Sequence, residues 1–181
     1  TPALRGHVPR RNAVVIDQLI AADAIVFGKA AMHELASGGT CHNSGFGTVR
    51  NPYALDHIAG GSSGGTGAGV AARISPAGLG TDTGGSVNIP SSLNGIAGLR
   101  PTTGRYSAEG MMRSSFARDT IGPMARSAVD CAMLFDGLTG SKPRGDSKAS
   151  KIGMVDTGSA DLSVDTNVAD AMAAALIALE S

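Results

Sequence analysis

Residues 60–90 restrict this chain more than any other stretch. They run Gly60-Gly61-Ser62-Ser63-Gly64-Gly65-Thr66-Gly67-Ala68-Gly69, then an apolar segment, then Gly80-Thr81-Asp82-Thr83-Gly84-Gly85-Ser86-Val87-Asn88-Ile89-Pro90. Two serines each sit in a glycine-rich turn, joined by a segment that suits a short helix and a strand. Glycine permits positive φ and close approach to the main chain, so consecutive N–H groups are left free to point at an anion. Hydroxyls beside such amides are the equipment of an oxyanion hole.

The rest of the chain alternates between helical and strand patterns. Residues 13–22 carry apolar positions at helical spacing, and Ala24-Ile25-Val26-Phe27-Gly28 reads as a short buried strand ended by glycine. A second helix is expected over 30–36. Residues 37–59 hold Gly, Asn, Thr and Pro with little periodicity and read as a long ordered loop. A small-residue helix follows over 63–73, with Ser63 as its N-cap. Residues 74–79 form the next strand and deliver residues 80–86 at its carboxyl end, the edge where ligands gather in open α/β sheets. Residues 96–101 read as a strand stopped by Pro101, 110–122 as loop, 125–138 as helix, 141–150 as a charged linker, 151–155 as a strand and 168–179 as a helix capped by Asp165 or Thr166. The alternation indicates an α/β fold with a largely buried sheet.

The 181 residues carry zero formal net charge, and 42% hydrophobic content with only four Phe and two Tyr implies a core of small side chains. Balanced charge gives no electrostatic case for nucleic acid or an anionic membrane. Cys41 and Cys131 lie far apart, and no signal peptide or membrane-spanning apolar run is visible, so reduced thiols in a cytoplasmic protein are expected.

Several motif readings compete at the serines. Gly61-Ser62-Ser63-Gly64-Gly65 has the G-x-S-x-G spacing of a hydrolase elbow with Ser63 as nucleophile, but that arrangement needs a histidine after the serine. His7, His33, His42 and His57 all precede it. Gly67-Ala68-Gly69-Val70-Ala71-Ala72 fits a dinucleotide fingerprint, yet residues 57–66 are not an apolar strand and Asp82 comes too early to meet a ribose. No lysine follows the glycines as a phosphate loop requires. His33-Glu34 lacks the second histidine of a zinc protease, so hydrogen bonds at a surface or loop are its expected use. What remains is serine chemistry without histidine, in which another base must take the hydroxyl proton.

The run GGSSGGTGAGVAA followed by GLGTDTGGSVNIPSSLNGIAGLRPTTGRYS resembles the signature region of the amidase signature enzymes, especially the indoleacetamide and mandelamide hydrolase type. The likeness extends over residues 1–140 and implies the central part of that family's domain, a mixed sheet covered by helices, with residues 151–181 opening the next α/β segment. It implies a Ser-Ser-Lys relay acting on a small carboxylic amide, with no cofactor and no metal. Ser86 is then the nucleophile. Ser62, following a cis peptide, passes the proton toward a lysine, and the main-chain amides of Thr83, Gly84, Gly85 and Ser86 hold the oxyanion. Asp82 is expected to anchor the turn.

Two departures stand out. Asn88 occupies a position where the family usually has arginine, so an ion pair made there is lost or replaced. The family's lysine motif is absent, and the four lysines present are Lys29, Lys142, Lys148 and Lys151. Lys29 matches a different family motif and is not expected to be the base, because a neutral lysine needs a desolvated setting. The chain therefore reads as a segment of a longer enzyme whose lysine lies upstream, with little turnover by itself. The alternatives are an inactive truncated homologue and the glutamine-hydrolysing component of an amidotransferase. The expected partner is a small-molecule amide, without nucleic acid or membrane, and a homodimer is left open.

Overall fold

In the computed structural model, residues 4–140 and 164–180 are described, and the chain divides into two compact units, residues 1–143 and 144–181. In the first, both serine segments are referenced to a three-stranded sheet: β5 (Ala77–Asp82) and β6 (Ala97–Gly98) flank β7 (Thr120–Ala125). Every pairing in it is antiparallel, from Ala77 opposite Ala125 to Asp82 opposite Thr120. All six residues of β7 are buried. Helices cover the sheet, so the α/β class expected from the alternation holds, although no parallel pairing occurs among the described strands.

The central strand falls partly inside 110–122, which the sequence presents as loop. Gly122 and Pro123 explain the misreading: both are ordinary strand breakers. Here glycine is needed, because a Cβ at position 122 would run into the Leu99 carbonyl oxygen. Pro123 contributes its carbonyl, which accepts from Leu99 N at 3.0 Å.

Helix α1 (Val14–Ala21) follows its apolar spacing and buries Val15 and Leu19 against Tyr106, Ile121 and Leu138. Leu138 belongs to α4 (Ala128–Thr139). That helix starts later than its periodicity suggests because Ser127 caps it, accepting from Asp130 N at 3.1 Å and donating to Asp130 Oδ2 at 2.8 Å. Gly140 in the left-handed region closes it.

Three expectations upstream of the first serine are corrected. Residues 24–28 form no strand; Ile25 is 89% exposed and Phe27 69%. A short apolar run becomes a strand only when a neighbour takes its backbone hydrogen bonds, and no described strand pairs with this one. Residues 30–36 are not a helix beyond a single 3₁₀ turn, Glu34–Ala36. Their backbone is used elsewhere: the Ala31 carbonyl accepts from Gly65 N at 3.0 Å and His33 N donates to the Ser62 carbonyl at 2.9 Å. Residues 37–59 are two small hairpins rather than a loop, β1 (His42–Asn43) with β2 (Gly47–Thr48) and β3 (Arg50–Asn51) with β4 (Ala54–Ile58). Asn43 and Asn51 bend each chain by accepting the amide two residues on, from Gly45 N and Tyr53 N, each at 2.9 Å.

Helix α2 (Gly64–Ala71) follows the first serine motif, and α3 (Asn88–Leu93), which has no counterpart in the sequence reading, follows the second. In the second unit α5 (Thr166–Glu180) forms where alanine richness suggests, with Asp165 Oδ1 accepting from Asn167 N at 2.9 Å as a cap. The expected linker at 141–150 and strand at 151–155 lie outside the described residues. No described helix is long and apolar enough to cross a membrane.

Candidate active site

The two serines meet through the backbone. Ser63 N donates to the Ser86 carbonyl at 3.2 Å, which seats the Ser62 loop directly against the Ser86 turn. Ser62 is fully buried and follows a cis Gly61–Ser62 peptide. Its hydroxyl has no hydrogen-bond partner among the described residues. Ser86 is half-buried in the turn that follows β5.

Ser63 stands at the first position before α2 but does not cap it. Its Oγ accepts from Thr81 N at 3.1 Å and donates to the Thr81 carbonyl at 3.2 Å. Strand β5 lies at the sheet edge, so its outward N–H and C=O groups need partners. Thr66 Oγ1 supplies another, donating to the Leu79 carbonyl at 3.1 Å. The free edge of β5 is thus paired by hydroxyls of the Ser62 segment, and this overrides helix capping.

Close backbone packing holds the Ser62 loop. A Cβ on Gly61 would lie 2.7 Å from Cys41 N and 2.9 Å from the Gly38 carbonyl, and one on Gly64 would lie 2.7 Å from Cys41 Sγ. Cys41 is fully buried, with its thiol 3.8 Å from the carbonyl oxygens of Ala31 and Ser62. Burial pushes the Cys41 thiol up, against the lowering effect of the Gly65, Gly64 and His33 amides. It is therefore a packing group rather than a thiolate. His33 serves a local role as expected: its Nδ1 accepts from His42 N at 3.3 Å. Glu34 Oε2 accepts from Ser44 Oγ at 2.6 Å.

Carboxylates hold the Ser86 turn. Asp82 is fully buried, and its Oδ1 accepts from Gly85 N at 2.7 Å while its Oδ2 accepts from Val87 N at 2.7 Å and Asn88 N at 3.4 Å. This is the anchoring expected of Asp82. Gly85 takes φ 115°, a conformation side chains resist. Its amide is engaged by Asp82, so among the four amides proposed for the oxyanion, that of Gly85 already has an acceptor. Those of Thr83, Gly84 and Ser86 have none among the described residues.

Two groups here escaped the sequence reading. Asp119 accepts from Thr83 Oγ1 at 2.5 Å on Oδ1, and from Ser114 N at 2.6 Å and Ser115 N at 2.8 Å on Oδ2. Burial raises its carboxyl, but the Thr83 hydroxyl, the Ser115 and Ser114 amides and the Arg113 charge outweigh this and leave it below the usual range. Arg100 provides the cation at Asp82: its Nη1 lies 3.7 Å from Asp82 Oδ1. Asn88 is exposed and, as a neutral amide, cannot replace the charge of an arginine at that position. Lys29 is exposed and joins no hydrogen bond or ion pair among the described residues. Only the fold brings Arg100 and Asp119 to the turn, and nothing local in the sequence marks either.

A sequence model of the family described as Amidase matches residues 1–177. The chain belongs to the amidase signature family. It is 48% identical over 170 residues to the mandelamide hydrolase of Pseudomonas putida, covering 90% of this chain and 34% of that protein. It is also 48% identical over 141 residues to the A subunit of the glutamyl-tRNA(Gln) amidotransferase of Ralstonia pickettii, covering 78% of this chain and 28% of that protein. Among solved structures, the native peptide amidase of Stenotrophomonas maltophilia superposes with a TM-score of 0.73 at 35% identity, covering 80% of this chain and 32% of that one. The chain thus spans about a third or less of the length of these relatives.

Proposed function

We propose that the protein to which these residues belong hydrolyses a carboxylic amide of the small aryl- or indolyl-acetamide type through a seryl acyl-enzyme. The supporting observation is the buried, unpartnered hydroxyl of Ser62 on a loop bonded directly to Ser86. A buried hydroxyl without a partner costs free energy, and a proton-relay role supplies the missing partner in the assembled site.

In this reading Ser86 Oγ attacks the amide carbonyl carbon while its proton passes through Ser62 to a lysine supplied from outside this chain. The oxyanion rests on main-chain amides of residues 83–86, of which Thr83, Gly84 and Ser86 are the free donors. Collapse of the tetrahedral intermediate breaks the C–N bond, and the relayed proton leaves on the amine or ammonia. Water then attacks the acyl-enzyme, releasing the carboxylate and restoring the Ser86 hydroxyl. The relay requires a lysine that is neutral when it accepts the proton, so its site must be desolvated. Match length favours a small-amide hydrolase: the mandelamide hydrolase aligns over more of this chain than the amidotransferase component does.

The test uses the whole protein. A fluorophosphonate probe labels Ser86, and Ser86→Ala abolishes both labelling and ammonia release from aryl-acetamides. Equal labelling of the Ser86→Ala variant removes Ser86 as nucleophile. Glutamine hydrolysis that depends on partner proteins, without turnover of aryl-acetamides, assigns the amidotransferase role instead.

A further inference from the structure

Asp82 is a fully buried carboxylate at the hinge between β5 and the Ser86 turn, and such a group needs a counter-charge or a full set of donors. Three turn amides supply donors, from Gly85, Val87 and Asn88. The charge comes from a residue eighteen positions away. Arg100 follows β6, and its guanidinium does more than sit beside the carboxylate. Nη1 donates to the Asp82 main-chain carbonyl at 2.9 Å and lies 3.7 Å from Asp82 Oδ1, while Nη2 donates to the Arg118 carbonyl at 2.9 Å. Arg118 immediately precedes Asp119, the carboxylate that grips the Thr83 hydroxyl.

One planar group therefore joins the two anchors of the turn. Asp82 holds residues 85–88 from within, Asp119 holds Thr83 from the side, and the Arg100 fork spans the carbonyls at both. The amides of residues 83–86 and the Ser86 hydroxyl are set relative to the sheet through this bridge. Resting on the reading of Ser86 as nucleophile, we propose that Arg100 is a positioning residue for catalysis: it acts through Asp82 and Arg118 to hold the Ser86 turn in attacking register, and it touches no substrate. A lysine keeps the charge but cannot span two carbonyls with a rigid fork, so charge and geometry are separable by substitution.

The experiment compares wild-type whole protein with Arg100→Met and Arg100→Lys, measuring the rate of fluorophosphonate labelling at Ser86, kcat and KM for an aryl-acetamide, and folding by circular dichroism. Loss of register slows labelling and kcat of Arg100→Met on the order of 30- to 100-fold. KM stays within about 2-fold, because substrate contacts are untouched. Arg100→Lys recovers part of the rate and stays below wild type. A folded Arg100→Met variant that labels and turns over at the wild-type rate overturns the proposal. If Arg100→Met does not fold, Arg100→Lys decides: slowed labelling with wild-type KM supports the positioning role, and a wild-type rate overturns it. Absence of Ser86 labelling in the wild type is a different failure, seen before any change at Arg100, and it removes the nucleophile assignment together with this inference.

Discussion

The Ser62 loop and the Ser86 turn are built from the same letters and held by different forces. Around Ser62 the backbone is clamped by contact: Gly61 and Gly64 leave no room for a side chain beside Cys41, and the Ala31 and His33 backbones pair with Gly65 and Ser62. Around Ser86 the clamp is electrostatic, with Asp82 and Asp119 gathering turn amides and the Thr83 hydroxyl, and Arg100 balancing Asp82. The buried serine stands where contact packing suffices. The half-exposed serine is open on one side, so it cannot be packed all round, and directed bonds from beneath fix it instead. Glycine richness in a sequence thus has two meanings. In the first motif it permits close approach, and in the second it frees amides and allows the φ of Gly85.

Substitutions that attack each clamp separately test this contrast. The largest effect is expected from Asp82→Ala, which strands the Gly85 and Val87 amides and leaves Arg100 without its anion. Each donor so stranded costs about 1–3 kcal/mol, and two are lost together, to be read as a lowered denaturant midpoint. A loss smaller than that of the packing variant below would break the contrast.

Gly64→Ala comes next. Its Cβ would lie 2.7 Å from Cys41 Sγ, and overpacking of this kind costs about 1–3 kcal/mol. Cys41 has φ 57°, so glycine is well tolerated there, and adding Cys41→Gly opens space for the new methyl. The double variant should regain part of the stability lost by Gly64→Ala alone. Additive losses in thermal melts would show that the loop is not held by this contact.

The smallest effect concerns acid stability. The Asp119 carboxyl titrates below its unfolded value, so its contribution is present above the ordinary carboxylate range and is lost as pH falls through its lowered folded value. Asp119→Asn should flatten the acid limb of a stability–pH curve and leave the Gly64 effect unchanged. An acid limb of undiminished slope would show that another carboxylate carries it.

Some misreadings share a cause. The strand expected at 24–28 and the helix at 30–36 both assumed that composition decides backbone pairing. The backbone of 31–33 instead completes the Ser62 loop, and residues 24–28 pair with no described strand. Ser63 looked like a helix cap, yet the unpaired edge of β5 claims its hydroxyl. Strand β7 was hidden by Gly122 and Pro123, residues that discourage strands on average and are suited to this one by the approach of Leu99.

From the sequence alone came the paired glycine–serine motifs, the family they signal, the α/β alternation and the anchoring role of Asp82. Each depends on residues within a few positions of one another, where spacing dictates geometry. The tertiary structure decided which strand is central, what braces Ser62, and that Asp119 and Arg100 secure the Ser86 turn. Those contacts join residues 36 and 18 positions apart, and no local pattern encodes them because the sheet register alone brings the side chains within reach.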